Sequence, residues 1–154
     1  MKPLIIQLLA FGIAWVILKL SRKENAFYIS GRVGLAAMLC FTAIGHFAFV
    51  EGMSMMLPNI VPYKSELIIL TGILEILGAA GLFFAKWRKL SAYLLIVFFF
   101  LVLPANIYAA LHHVDYQRAT YQGPGTEYLV FRVPLQILFI LWAYYFGIRY
   151  AHRR

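Results

Sequence analysis

Cysteine is almost missing from this chain of 154 residues, with Cys40 the only one. A dithiol relay needs two thiols, so thiol–disulfide chemistry within the chain is excluded; Cys40 reads as a small packing residue. Charge is scarce as well: Asp, Glu, Lys and Arg make up 13 % of the residues, against about 25 % in soluble domains. Nowhere is there a phosphate-cradling glycine loop, a nucleophile–base constellation, or a His-x-x-x-His or Glu-x-x-His pair that would offer a metal two ligands from one helix face. An enzyme acting alone is not expected, no metal site is assigned, and haem ligation is disfavoured because His112 and His113 are adjacent and point apart. There is also no second soluble domain, internal repeat or low-complexity segment, so residues 1–154 read as one membrane domain.

What fills the chain is apolar: 63 % hydrophobic residues and a mean hydropathy of +0.79. Segments 3–20, 32–50, 67–85, 92–111 and 128–147 approach the roughly 20 residues a helix needs to cross a hydrocarbon core of about 30 Å. They predict an all-α, polytopic bundle of five transmembrane helices. The first could pass for a signal peptide, but Lys19, Arg22 and Lys23 follow it and no small-x-small cleavage site does, so it reads as a retained helix.

The formal net charge of +8 is sorted by loop. Lys19, Arg22, Lys23 and Arg32 lie in the first connection, Lys86, Arg88 and Lys89 in the third, and Arg149, Arg153 and Arg154 at the C-terminus. The other connections are poor in Lys and Arg. This pattern follows insertion orientation instead of a nucleic-acid surface, and it predicts an outside N-terminus and a cytoplasmic C-terminus, with Lys2 dissenting. Trp87, Trp142, Tyr144, Tyr145 and Tyr150 read as an aromatic belt on the cytoplasmic side.

Within segment 67–85 the only charge is Glu75. An ionisable residue that deep in an apolar span marks a functional site by default. At 1.5 Å rise per residue, His46, Thr71, Glu75, Asn106, Arg132 and Gln136 all fall about 6 to 12 Å below the outer ends of their segments, so separate helices supply one polar layer. Thr71 with Glu75, and Arg132 with Gln136, are i, i+4 pairs on one face. Glu75 and Arg132 are natural partners, since a buried carboxylate seeks a cation, and Glu51 offers Arg132 a second one. Glu51, His112 and His113 form a candidate outer rim. Two readings stand side by side: a self-satisfying lock that fixes the helices, or a pocket for a small polar-headed ligand or a quinone.

Other expectations concern packing. Gly72, Gly78, Ala79, Gly81 and Ala85 would let neighbours approach the third segment closely, which should make that helix central. Pro104 interrupts the fourth segment and frees the carbonyl of Phe100. The connection carrying Met53, Met55, Met56, Leu57, Pro58 and Pro62 is too apolar for a free loop and reads as a surface lid or a plug, and Gly123-Pro124-Gly125 as a turn.

The run Gly45-His46-Phe47, then Met56, Pro58 and Pro62, Thr71-Gly72 with Glu75 and Gly78, Pro104-Ala105-Asn106, and Arg132-Val133-Pro134-Leu135-Gln136 resembles the DoxX-like family of small bacterial membrane proteins. The resemblance implies a four-helix core over residues 31–150, with 3–20 as an extra N-terminal helix, in the bacterial inner membrane. It also implies an accessory or quinone-linked subunit of a membrane redox system, partnered by the lipid bilayer and by another membrane protein or redox complex. The alternative is a non-catalytic assembly factor or structural subunit of a larger complex. A small-solute transporter would need an oligomer, as no inverted repeat is present.

Overall fold

The computed structural model describes residues 2–150; Arg153 and Arg154 of the basic tail lie outside them. Six α-helices follow one another: α1 (Lys2–Leu20), α2 (Ala26–Ala48), α3 (Val50–Ser54), α4 (Lys64–Gly81), α5 (Arg88–Leu111) and α6 (Glu127–Ala143), the last continuing as a π-helical stretch, Tyr144–Arg149. The one pairing of extended residues among those described is an isolated bridge between Asp115 and Thr120. The fold is therefore an all-α bundle. Four helices, α1, α2, α5 and α6 with its extension, are long and apolar enough to cross a membrane. α4 has 18 residues, about 27 Å at 1.5 Å per residue, but it carries Lys64, Glu66 and Glu75. That charge keeps it out of the group by composition.

Helices begin earlier than the apolar segments because long basic side chains can leave a helix without ending it. Arg32 sits a full turn and more inside α2, half-buried, with its Nε donating to the Tyr28 carbonyl at 3.3 Å. Arg88 and Lys89 open α5 in the same way, and the Arg88 Nε donates to the Leu82 carbonyl at 3.2 Å. α4 is displaced from the expected 67–85: it starts at Lys64 and stops at Gly81, leaving Leu82 to Trp87 as turns.

The centre of the bundle is α2, which packs against α1, α3, α4, α6 and the π-helical stretch. This corrects the expectation that the glycine-rich third segment is central. In α4 only Ile68, Gly72, Glu75 and Ala79 are buried, a single stripe at helical spacing. Ile69, Leu70, Ile73, Leu74, Ile76 and Leu77 face outward. The small residues still admit neighbours: a Cβ on Gly72 would lie 2.9 Å from the His46 Cβ, and one on Gly78 would lie 2.7 Å from Leu95. A side chain at Gly81 would run into Ser91. Cys40 is exposed on α2, so its packing role is also corrected: its face of the helix has no protein neighbour covering it.

Below the polar layer, Leu35, Leu39, Leu82, Leu95, Phe99, Leu135 and Phe139 belong to one apolar core. Toward the basic end, Phe11 of α1 meets Phe27, Trp142 and Phe146 with ring centroids 5.4 to 6.2 Å apart. There the π-helical stretch seats the Phe146 ring on Gly31 and Gly147 on Ala92, and the Trp142 indole donates to the Gly31 carbonyl at 2.8 Å. Trp142 is therefore an inter-helix clasp as well as a belt aromatic.

α1 and α2 cross most closely at Gly34, where a Cβ would lie 2.7 Å from the Gln7 carbonyl oxygen and 3.0 Å from the Phe11 Cβ. A Gly34→Val variant should destabilise the α1–α2 pairing by about 1–3 kcal/mol, the usual cost of overpacking a close contact. Gly12 has open space around it, so Gly12→Ala should leave stability unchanged or slightly raised; unfolding in mixed micelles would read both. The Gln7 side chain is fully buried, and neither its Nε2 nor its Oε1 has a hydrogen-bond partner among the described residues. Because an unpaired buried amide costs about 1–3 kcal/mol, Gln7→Met should raise stability in the same assay, and a loss would show that the amide is satisfied.

Candidate functional site

The polar layer forms at the end of the bundle opposite the basic loops, where α2 and α5 finish and α4 and α6 begin. His46 sits two residues before the end of α2 and faces α4. Its Nδ1 pairs with the Thr71 hydroxyl at 3.0 Å, and its Nε2 lies 3.8 Å from Glu75 Oε2. Thr71 in turn donates to the Ile68 carbonyl at 2.7 Å. If that donation holds, Thr71 accepts from His46, which places the imidazole proton on Nδ1 and leaves Nε2 facing the acid. Glu75 is 4 % exposed, and its Oε2 has no hydrogen-bond partner among the described residues.

A second pair stands beside the first. Asn106 of α5, 2 % exposed, donates through Nδ2 to the Val102 carbonyl at 2.9 Å and accepts on Oδ1 from Arg132 Nε at 3.2 Å. One turn further along α6, Gln136, 3 % exposed, donates to the Phe99 carbonyl at 2.6 Å. Proline has no N–H, and its ring crowds the turn before it; α5 nonetheless runs through Pro104. The carbonyl taken up by the neighbouring helix is that of Phe99, one residue before the expected Phe100. Gln136 thus supplies from α6 a donor beside the disturbed turn of α5.

The structure brings His46 against Thr71 and Glu75, and Arg132 against Asn106, while Gln136 bonds the α5 backbone. The expected ion pair between Glu75 and Arg132 does not form: the acid faces His46, and the guanidinium bonds Asn106. Arg132 is near enough to act electrostatically on both His46 and Glu75, so the two pairs share one field without touching. Among the described residues no ion pair joins Glu51 to Arg132 either. Thr42 was missed. It lies against the Glu75 carboxyl as a hydrogen-bonding neighbour, while its hydroxyl reaches the Met38 and Leu39 carbonyls at 3.2 and 3.0 Å. Its position four residues before His46 was the available signal, since i and i+4 share a helix face.

The rim residues divide. His112 stacks on Tyr108 with centroids 3.9 Å apart, its Nδ1 2.9 Å from the Tyr108 carbonyl oxygen. His113 adopts φ 52° and turns the chain; its Nδ1 lies 3.4 Å from the Gly123 carbonyl oxygen. Gly125, at φ 69°, provides the turn expected there, with the His113 ring 2.5 Å from where a Cβ would project. Under this loop Gly52 of α3 packs on the Tyr116 backbone. Burial, followed by the nearby Tyr128, pushes the Tyr116 phenol above its usual range. Among the described residues no group of three His, Cys, Asp or Glu side chains is arranged to hold a metal ion.

A cleft of about 790 Å³ opens at this end, bounded by α3, the start of α4, the end of α5 and Tyr121. Glu51 and His112 line it; none of the six layer residues does. Glu75, Asn106 and Gln136 are buried, and His46, Thr71 and Arg132 are partly exposed outside the cleft.

Interhelical hydrogen bonds in membranes average about 0.6 kcal/mol and reach about 1.7. A double-mutant cycle on Arg132→Met and Asn106→Leu should return a coupling within that range, with Asn106→Leu alone the costlier change because it leaves a part-buried guanidinium without its acceptor. A coupling indistinguishable from zero would mean that the pair does not hold α5 to α6.

Residues 35–147 match the family model described as "Domain of unknown function (DUF8561)". The match contains the whole polar layer and leaves out α1. Comparison with curated proteins and with solved structures finds no match.

Proposed function

The chain belongs to the DUF8561 family, and we propose that it is a non-catalytic membrane subunit, an assembly factor or structural member of a larger membrane complex, whose polar side chains clasp α2 to α4 and α5 to α6. The observation that carries this reading is that the polar side chains bond one another and the backbone and not the cleft. His46, Thr71, Asn106, Arg132 and Gln136 each bond another member of the layer or a backbone carbonyl, and the cleft above reaches none of them.

In this reading α4 is a fifth span. α2 ends and α5 starts at opposite ends of the bundle, so α4 must carry the chain across; its outward Leu70, Ile73, Leu74 and Leu77 then meet lipid. The basic connections gather at one end, which supports a cytoplasmic placement for them and an outside N-terminus in a bacterial inner membrane. The DoxX-like resemblance fits the same picture, with α1 as the added helix.

α1 also gives the partner its most accessible face. It packs on α2 and leaves Ile5, Leu9, Ile13, Val16 and Ile17 at least half exposed, whereas Gly78 and Gly81 of α4 are already occupied by α5. Native purification of the full chain, with mass spectrometry of copurified proteins and an absorption spectrum, tests the reading. Leu9→Ala with Ile13→Ala should release a copurifying membrane partner, while Glu75→Gln should retain it.

One observation favours the second reading, a quinone-linked site: Glu75 Oε2, buried and without a hydrogen-bond partner. A quinone that copurifies with the natural chain and is lost in Glu75→Gln would replace the structural reading with that one.

A further inference from the structure

The cleft at the mouth of the bundle carries a chemistry separate from the layer below. α4 and α5 meet closely where Gly78 faces Leu95 and Gly81 faces Ser91. At their other ends they both border the cleft, α4 through Lys64 and Ser65 and α5 through Tyr108 and His112. Two formal charges line it, one of each sign. Glu51 is exposed on α3 and has no ion-pair partner among the described residues. Lys64 Nζ donates to the Leu57 carbonyl at 2.8 Å and to Asn59 Oδ1 at 3.2 Å. An ammonium has three donors, so one remains for a ligand, already aimed by the other two.

We propose that this cleft binds the headgroup of a zwitterionic phospholipid, with the phosphate on Lys64 and the ammonium group on Glu51. The balance of charge selects the class. A singly anionic headgroup would satisfy Lys64 and then meet Glu51 as a like charge, whereas a headgroup with both signs satisfies the two together. The cleft, about 790 Å³, lies within the roughly 300 to 1,000 Å³ of small-molecule sites, ample for a phosphate, an amine and a glycerol backbone. Its aromatic wall is stiffened by the stack of His112 on Tyr108.

The source is a lipid and not a soluble headgroup because the walls continue as apolar surface. On α4, Leu67 and Leu70 are exposed, and on α5, Ile107; acyl chains extending from the cleft find these faces below it. Ile60, 89 % exposed, and Tyr63, 78 % exposed, flank the same end as an apolar and an amphipathic residue suited to the interface. The proposal stands apart from either reading of the buried layer, since the two places share no side chain.

The test uses the full chain reconstituted in vesicles of equimolar phosphatidylethanolamine and phosphatidylglycerol, gently released, with retained lipid read by native mass spectrometry. The natural chain should retain phosphatidylethanolamine preferentially. One charge near a membrane surface is worth about 1 kcal/mol, or about five-fold. Glu51→Gln should therefore lower the preference for phosphatidylethanolamine over phosphatidylglycerol by about five-fold, and Lys64→Gln should lower total phospholipid retention by a similar factor. Lys64 also ties down residues 57 and 59, so its variant can fail by loosening the wall; Glu51→Gln removes no internal bond and keeps the test decisive. Equal retention of the two lipids by the natural chain, or an unchanged preference in Glu51→Gln, would overturn the proposal. Excess water-soluble glycerophosphoethanolamine should leave the retained lipid in place, and its displacement would overturn the lipid assignment.

Discussion

Everything in this bundle is arranged around one constraint: a polar group carried into the hydrocarbon layer must find its partner inside the protein, because no water is there to supply one. Among the described residues, five polar or ionisable side chains end almost fully buried: Gln7, Ser30, Glu75, Asn106 and Gln136. Three of these meet the constraint through bonds to backbone carbonyls: Ser30 turns back to Ala26 at 2.7 Å, Asn106 to Val102 and Gln136 across to Phe99. Carbonyls serve because they accept more than the single bond a helix asks of them. A bundle can thus bury several polar side chains without building a hydrophilic cavity.

Glu75 and Gln7 are the places where the constraint is met least completely, and they differ in kind. Gln7 lies between two helices that pack through Gly34, so its burial follows from close approach of backbones. Glu75 lies among groups that can change their bonding: the imidazole of His46, the hydroxyl of Thr42 and, at longer range, the guanidinium of Arg132. Its stripe on α4, with Ile68, Gly72 and Ala79, fixes which helix it addresses. Gly72 draws α4 onto α2 at His46 and Phe47, and Glu75, three residues on, projects on the same side.

That stripe explains how much of the site was legible in the sequence. Counting along the helices grouped residues of which His46, Thr71 and Glu75 meet in one place and Asn106 and Arg132 in another. Pairing did not follow from counting. Charge alone favours a carboxylate beside a guanidinium, but which helices touch is decided by where small residues let backbones approach, and Gly72 chose α2 over α6. The same cause hid the hub. Gly72, Gly78 and Gly81 made the third segment look central, yet they line only the sides that meet α2 and α5, and the leucines and isoleucines between them face outward. The centre was instead α2, whose Gly31 and Gly34 admit Phe146 and the Gln7 backbone. Helix starts were misplaced for a different reason: Arg32, Arg88 and Lys89 looked like loop charges, whereas their long stems let them occupy helical turns.

The separation of the open cleft from the polar layer bears on how such a chain can act. A ligand in the cleft touches Glu51, Lys64 and the Tyr108–His112 stack, and these belong to α3, α4 and α5. The layer beneath is built on α2 and the same α4 and α5, together with α6. Whatever occupies the cleft therefore pushes on the ends of two helices whose inner turns hold Glu75 and Asn106. Because α4 and α5 are pinned together at Gly78–Leu95 and Gly81–Ser91, a change in their spacing at the mouth is taken up between that pin and the cleft, which is where Thr71, Glu75 and Asn106 lie. α4 is thus held along its stripe by α2, at one end by α5 and at the cleft end by α3.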